Sequence, residues 1–167
     1  TIDEKIVKAL RDKINIAGCT LTGYGELESK KVKFCGGEIK REYENIGSSH
    51  MFDGLSIDEI PSSPFTCDYL TGANIFGRVS VLDELGFFPE ELFLYFEETI
   101  WMERYIKKTG DKPWILPNIS IKNKKRSERS SLPTQYYFFY MTRNWLIFAA
   151  EVNSSFDGLL LYFYCYS

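Results

Sequence analysis

Residues 67–104 read CDYLTGANIFGRVSVLDELGFFPEELFLYFEETIWMER, and their order decides the fold class. Residues 65–76 carry strand pattern, broken by the small-residue turn Thr71-Gly72-Ala73. Ser80-Val81-Leu82-Asp83 reads as a capping box opening a short helix that Gly86 ends. Leu92 to Phe96 is an apolar, aromatic run of strand length. Glu97 to Thr109 follows as a helix, with two acids in its first turn, Lys107 and Lys108 in its last and Gly110 just beyond.

Upstream, residues 2–14 place Ile2, Ile6, Val7, Leu10 and Ile14 on one helical stripe, with Thr1 or Asp3 as cap. Residues 16–21 read as a short strand, residues 22–30 as a turn, and residues 32–39 as a strand interrupted by Gly36-Gly37. Residues 47–64, rich in Gly, Ser, Pro and Asp, read as a long exposed loop, a kind of segment that often serves as a lid. Downstream, residues 114–116 and 119–121 are strand candidates around Pro117, residues 122–131 a polar loop and residues 134–152 an aromatic helix. Strands and helices in alternation argue an α/β fold. The chain's opening at Thr1, directly on helical pattern, suggests a fragment.

At 167 residues the chain is one domain by size. A net charge of -3 gives no support to nucleic-acid binding, which calls for a basic face. Cys19, Cys35, Cys67 and Cys165 form no CxxC pair, and with His50 as the single histidine no zinc spacing exists. Scattered thiols fit a reducing cytosol. The apolar runs at residues 145–150 and 158–165 are far short of the ~20 residues that cross a bilayer. His50, in a polar loop with no sequence partner, reads as solvated, and Thr22 to Glu26 (TGYGE) as a turn, since it lacks a Gly-Lys-Ser/Thr ending.

The chemistry-bearing feature is Glu97-Glu98, where a strand feeds a helix. A hydroxyl is a poor nucleophile at neutral pH, and a positioned carboxylate that takes its proton accelerates attack by about 10²–10⁴-fold. The competing account is that acids at a helix N-terminus complement the macrodipole by about 0.3–1 kcal/mol and need no other purpose. The dipole also lowers a carboxylate's pKa, which keeps a base ionised and weakens it. Spacing alone leaves both accounts open. The aromatic residues at 136–150 likewise admit core packing or docking at a membrane interface.

The ordered set Asp68, Thr71-Gly72-Ala73, Leu85-Gly86-Phe87-Phe88, Phe93-Leu94-Tyr95-Phe96, Glu97-Glu98 and Arg104 resembles the second half of family 2 glycosyltransferases of the rhamnosyltransferase-like type. Gly110, Pro117, Tyr136-Tyr137 and Arg143-Asn144 continue the likeness downstream, and residues 16–18 and 35–37 upstream. The resemblance implies an α/β fold of the GT-A, Rossmann-like class. Residues 1–152 would be the acceptor-side half, with a mixed sheet and flanking helices. The nucleotide-binding half would precede Thr1, and residues 153–167 would be an apolar extension.

It implies inverting transfer of a sugar from a nucleotide-diphosphate sugar to a hydroxyl of a surface glycan or lipid-linked acceptor, in bacterial cell-wall or polysaccharide synthesis. Glu98 would be the general base, and this part alone inactive. Asp68, Thr71, Gly72, Ala73, Glu97 and Arg104 would line the acceptor and substrate site. A divalent cation, Mg²⁺ or Mn²⁺, would be held mainly outside this chain, with Asn123 standing where a metal-binding His often falls; an amide oxygen suits Mg²⁺ better than a transition metal. Expected partners are the nucleotide sugar, the glycan or lipid-linked acceptor, a peripheral membrane contact and a pairing through an exposed sheet edge, with no nucleic acid. The expected location is the cytoplasm, at the inner face of the membrane. Pro89 and Ile100 replace acids of the family pattern, and the chain has no Asp-x-Asp. The alternative reading is a non-catalytic remnant or interaction module that keeps the aromatic cleft.

Overall fold

The computed structural model describes residues 2–11, 14–23, 30–123 and 135–153. Strand β1 (Ile16–Gly23) is its centre and is buried along its whole length. It pairs parallel with β7 (Trp114–Asn123) on one side. On the other it pairs antiparallel with β2 (Val32–Phe34) near one end and β6 (Phe76–Gly77) near the other. Short β5 (Phe65–Thr66) adds antiparallel to β7, which makes a mixed five-stranded sheet. Between β2 and β6 the gap along β1 is filled by the Asn74 side chain. Its Oδ1 accepts from Cys19 N at 2.9 Å and its Nδ2 donates to Cys19 O at 3.0 Å, as a neighbouring strand would.

Both faces of the sheet are covered, which is why β1 lacks a polar alternation. Ala17, Cys19, Leu116 and Ile119 pack with Ile6 of α1 (Ile2–Arg11). Ile16, Leu21 and Ile115 join the larger core with Val81 of α2 (Val79–Leu85), Ile100 and Met102 of α3 (Glu97–Thr109), and Phe148 of α4 (Gln135–Val152). The chain is thus a mixed α/β protein with flanking helices. No helix among the described residues is long and apolar enough to cross a membrane.

Several elements follow the sequence reading. Helix α3 runs between the residues expected, closed by Gly110 in the left-handed conformation. The residue 32–39 strand does break at Gly36, whose φ of +90° disfavours a side chain, and resumes as β3 (Gly37–Lys40). The two strand candidates around Pro117 are one strand. Its register jumps from Cys19↔Leu116 to Thr20↔Ser120, so Pro117, Asn118 and Ile119 form a bulge where the missing N–H does no harm.

Four expectations are corrected. Residues 47–64 are not one long loop: Gly47–His50 forms β4, paired with β3 in a separate hairpin, and Ile57–Glu59 is a 3₁₀ turn. The true capping box lies there, Ser56 with Glu59, and not at Ser80. Helix α2 begins one residue before Ser80, behind Arg78, whose N–H bonds to Asn15 O and whose guanidinium bonds to Leu10 O. Long-range contacts therefore set that helix start. Residues 65–76 hold only the two-residue ends of strand pattern, β5 and β6.

The fourth correction matters most. Leu92 to Phe96 is not a strand: Glu90–Leu92 is a 3₁₀ turn, and the chain then passes through Phe93, Tyr95 and Phe96, all at positive φ, into α3. The turn 22–30 lies outside the described residues at 24–29, as do 124–134 of the polar loop, the Thr1 cap, and the apolar extension from 154 on.

The hairpin is locked to the core through Gly37, which exchanges backbone hydrogen bonds with Tyr69 and Asp68. A methyl group at Gly37 would sit 2.1 Å from the Tyr69 ring. Gly37→Ala is therefore expected to destabilise by about 1–3 kcal/mol, read as a lowered denaturation midpoint. An unchanged midpoint would show that the ring moves aside freely.

Candidate active site

The site is built on the turn that enters α3. Phe93, Tyr95 and Phe96 have φ of +59°, +69° and +67°, values that cost an L-residue energy and persist only where surroundings enforce them. Helix α4 does the enforcing. Tyr137, Tyr140, Asn144 and Phe148 lie at i, i+3, i+7 and i+11, one face of that helix. Tyr140 packs on Phe93 at 5.2 Å, Tyr137 edge-on to Tyr95 at 5.4 Å and Phe148 on Phe96 at 5.2 Å. Between them fully buried Asn144 donates from Nδ2 to the carbonyls of Leu92 (2.9 Å), Leu94 (2.6 Å) and Tyr95 (3.0 Å).

This turn delivers Glu97 and Glu98 half-buried into the first turn of α3. Oε1 of Glu98 accepts from Gly72 N at 3.2 Å. Burial pushes the Glu98 carboxyl above its ordinary range and Glu97 adds to the rise, while its own N–H, that of Gly72 and nearby His50 pull it down. The net direction is upward. The helix-dipole weakening expected from sequence is outweighed by desolvation, so Glu98 is a stronger base than an exposed glutamate. Glu97 points elsewhere: its Oε2 is buried without a hydrogen-bond partner.

The hairpin supplies the other wall, which sequence reasoning missed. His50 is exposed, as expected of a solvated residue, yet it packs edge-on to Phe34 at 5.0 Å and lies 6.3 Å from the Tyr69 ring. Tyr69 is buried, its hydroxyl hydrogen-bonded to the Ser48 side chain, and burial with the Glu98 charge pushes its pKa up to about 12. His50, Ser48 and Tyr69 meet only because β4 pairs with β3, and the GSSH sequence of β4 gives no strand signal to find them by.

Thr71, Gly72 and Ala73 form the partly exposed strip beside Glu98, with Gly72 in direct contact and Thr71 O accepting from Asn74 N at 3.1 Å. The other expected site residues are held in ion pairs. Asp68 accepts from Ile39 N at 2.8 Å, Lys112 Nζ at 2.7 Å and Arg41 Nη1 at 3.3 Å. Burial raises its pKa, but these three partners outweigh burial and hold it below the usual range. Arg41 also grips buried Glu103 at 2.6 Å. Arg104 meets Glu151 of α4 at 3.2 Å. Asn123 ends β7 opposite Gly23, and its side chain lies outside the described residues. Ile100 is wholly buried in the core, so an acid there would lie among apolar groups.

Among the described residues no group of three or more His, Cys, Asp or Glu is placed to hold a metal ion. Burial pushes the Cys19 thiol up to about 11 and that of Cys67 up to about 12, which makes both inert as nucleophiles. A groove of about 780 Å³ lies beside α1, lined by Lys5, Lys8, Trp114 and Pro117, and shares no residue with the Glu98 site. The chain matches no protein-family model and no curated protein.

Proposed function

We propose that this chain is the acceptor-side half of an inverting family 2 glycosyltransferase of the GT-A class. It transfers a sugar from a nucleotide-diphosphate sugar to a hydroxyl of a surface glycan or lipid-linked acceptor. The observation that carries the proposal is Glu98, held by Gly72 N–H at the mouth of a helix with its pKa raised by burial. Its carboxylate takes the proton of an acceptor hydroxyl as that oxygen attacks the anomeric carbon. The nucleotide leaves from the opposite face, and the configuration inverts. The exposed strip Gly72-Ala73 lets a sugar approach the backbone closely. The exposed rings of Tyr136, Phe138 and Phe139 on α4 suit the apolar part of a lipid-linked acceptor. The donor, and the Mg²⁺ or Mn²⁺ that would steady its diphosphate, would be held mainly by residues outside this chain.

The test is the pH dependence of kcat/KM in the intact enzyme. The rate is expected to fall on the acid side through an apparent pKa above the ordinary glutamate value, because protonated Glu98 cannot accept the proton. A profile flat down to the ordinary carboxylate range would remove the base role. The second reading, a non-catalytic module, is favoured by the engagement of Asp68 and Arg104 in internal ion pairs.

A further inference from the structure

The strained entry to α3 has one buried polar group at its centre, and that group has no part in the chemistry above. Asn144 is fully buried, and its amide nitrogen reaches three carbonyls of four consecutive residues. Its Oδ1 is buried without a partner. A buried orphan acceptor is costly, so a site tolerates one only where the donor end is needed. Exchanging the amide's ends would put Oδ1 against three carbonyl oxygens, so the geometry also settles which end faces the turn. The three carbonyls come within reach of one amide because Phe93, at φ +59° and ψ −47° in a turn closed by Leu94 N–H to Leu92 O, and Tyr95 both take positive φ; ordinary helical or extended backbone would spread them apart. Phe96, the left-handed residue that caps α3, follows directly, and Glu97 and Glu98 come next.

We propose that Asn144 is the positioning residue of the site: its amide locks residues 92–95 in the positive-φ turn and so fixes where α3 begins and where Glu98 points. Leucine or alanine at this position removes the Asn144 amide from three carbonyls and leaves Leu92 O only the Leu94 N–H at 2.7 Å. The turn then relaxes toward the extended or helical form its sequence favours, and Glu98 swings away from Gly72 into solvent. The catalytic consequence rests on the reading of Glu98 as base, but the clamp itself does not.

The test is therefore made on the carboxyl group and not on turnover alone. In the intact protein with ¹³C-labelled glutamate side chains, Glu98 is assigned by its loss in Glu98→Gln, and its titration is followed by NMR. In Asn144→Ala its pKa is expected to return to the ordinary glutamate value. In Val152→Ala, a buried position two turns further along the same helix, it is expected to stay raised. A Glu98 titration unmoved by Asn144→Ala, or moved as far by Val152→Ala, overturns the proposal. The unsubstituted protein gives a second reading should Asn144→Ala not fold. The Asn144 side-chain NH₂ protons are expected to exchange with solvent at least a hundredfold more slowly than those of exposed Asn45. Exchange as fast as Asn45 shows that there is no clamp. If the clamp passes while Glu98→Gln retains full turnover, the positioning stands and the assignment of the base falls.

Discussion

On the proposed reading of Glu98 as general base, Glu98→Gln is expected to lower turnover of the intact protein by about 10²–10⁴-fold, with KM little changed, since a general base acts in the transition state and not in binding. Glutamine keeps the shape and still accepts from Gly72 N–H, but it takes no proton. The same substitution is expected to raise stability near neutral pH. Glu98 has a raised pKa in the fold, so the folded state holds its proton more tightly than the unfolded chain. Folding suffers no penalty below the unfolded pKa. The penalty grows as pH rises from that value through the folded pKa, because a buried carboxylate must then be charged. Parent and variant should melt together in acid, and the variant should melt higher at pH 7. Full turnover in Glu98→Gln would end its role as base, and parallel melting curves at every pH would end the claim that burial raises its pKa. Lower activity with higher stability is the signature of a functional carboxylate, and a carboxylate serving only the helix dipole would give the opposite stability change.

Arg41→Met is expected to destabilise the protein by about 2 kcal/mol, below the ~3–5 of a fully buried broken pair, because the Arg41 side chain is itself 36 % exposed. Arg41 bridges two acids, Glu103 at 2.6 Å and Asp68 at 3.3 Å. The Glu103 side chain is 3 % exposed and that of Asp68 10 %, so both would keep buried charge with fewer partners. Lys112 still holds Asp68 and Lys107 stands 3.8 Å from Glu103, which limits the loss. The pH dependence has a definite sign. The Asp68 pKa is lowered in the fold, so its contribution is present above the unfolded value of 3.8 and is lost as pH falls through the folded one. Without Arg41 that depression shrinks, and the denaturation curves of parent and variant should converge in acid. A loss below about 0.5 kcal/mol at pH 7, the usual range for a surface substitution, would mean the network acts as exposed pairs do. Through Asp68 this network ties the β3–β4 hairpin to Lys112, just before β7, and through Arg41 to α3.

Local rules read correctly where a single element satisfied its own requirements. Helix α3 has acids at its start, lysines at its end and a closing glycine, each worth a few tenths of a kcal/mol to about 1 and all pointing the same way. The placement of Glu98 at a helix start was legible for the same reason. The break at Gly36-Gly37 was legible because a φ of +90° is open to glycine. Leu92 to Phe96 misled because an aromatic run of strand length has high β-propensity, and that propensity measures packing more than backbone preference. Here the rings pack against a helix more than forty residues away, so they turn. His50, Ser48 and Tyr69 were hidden for a related reason, since the polar GSSH strand is held by its partner and not by any apolar alternation of its own.

The sequence by itself determined the α/β class, the extent of α3 and the adjacency of a carboxylate pair to a helix start, because these follow from capping, charge and turn chemistry within a few residues. Only the tertiary structure decided that burial raises the Glu98 pKa, that Asp68 is bound up in an ion network, and that Asn144 donates to three carbonyls at the entry to α3. Each of those depends on burial or on a hydrogen bond between segments 26 to 62 residues apart. Desolvation and long-range donors act through space, and no spacing along the chain encodes them.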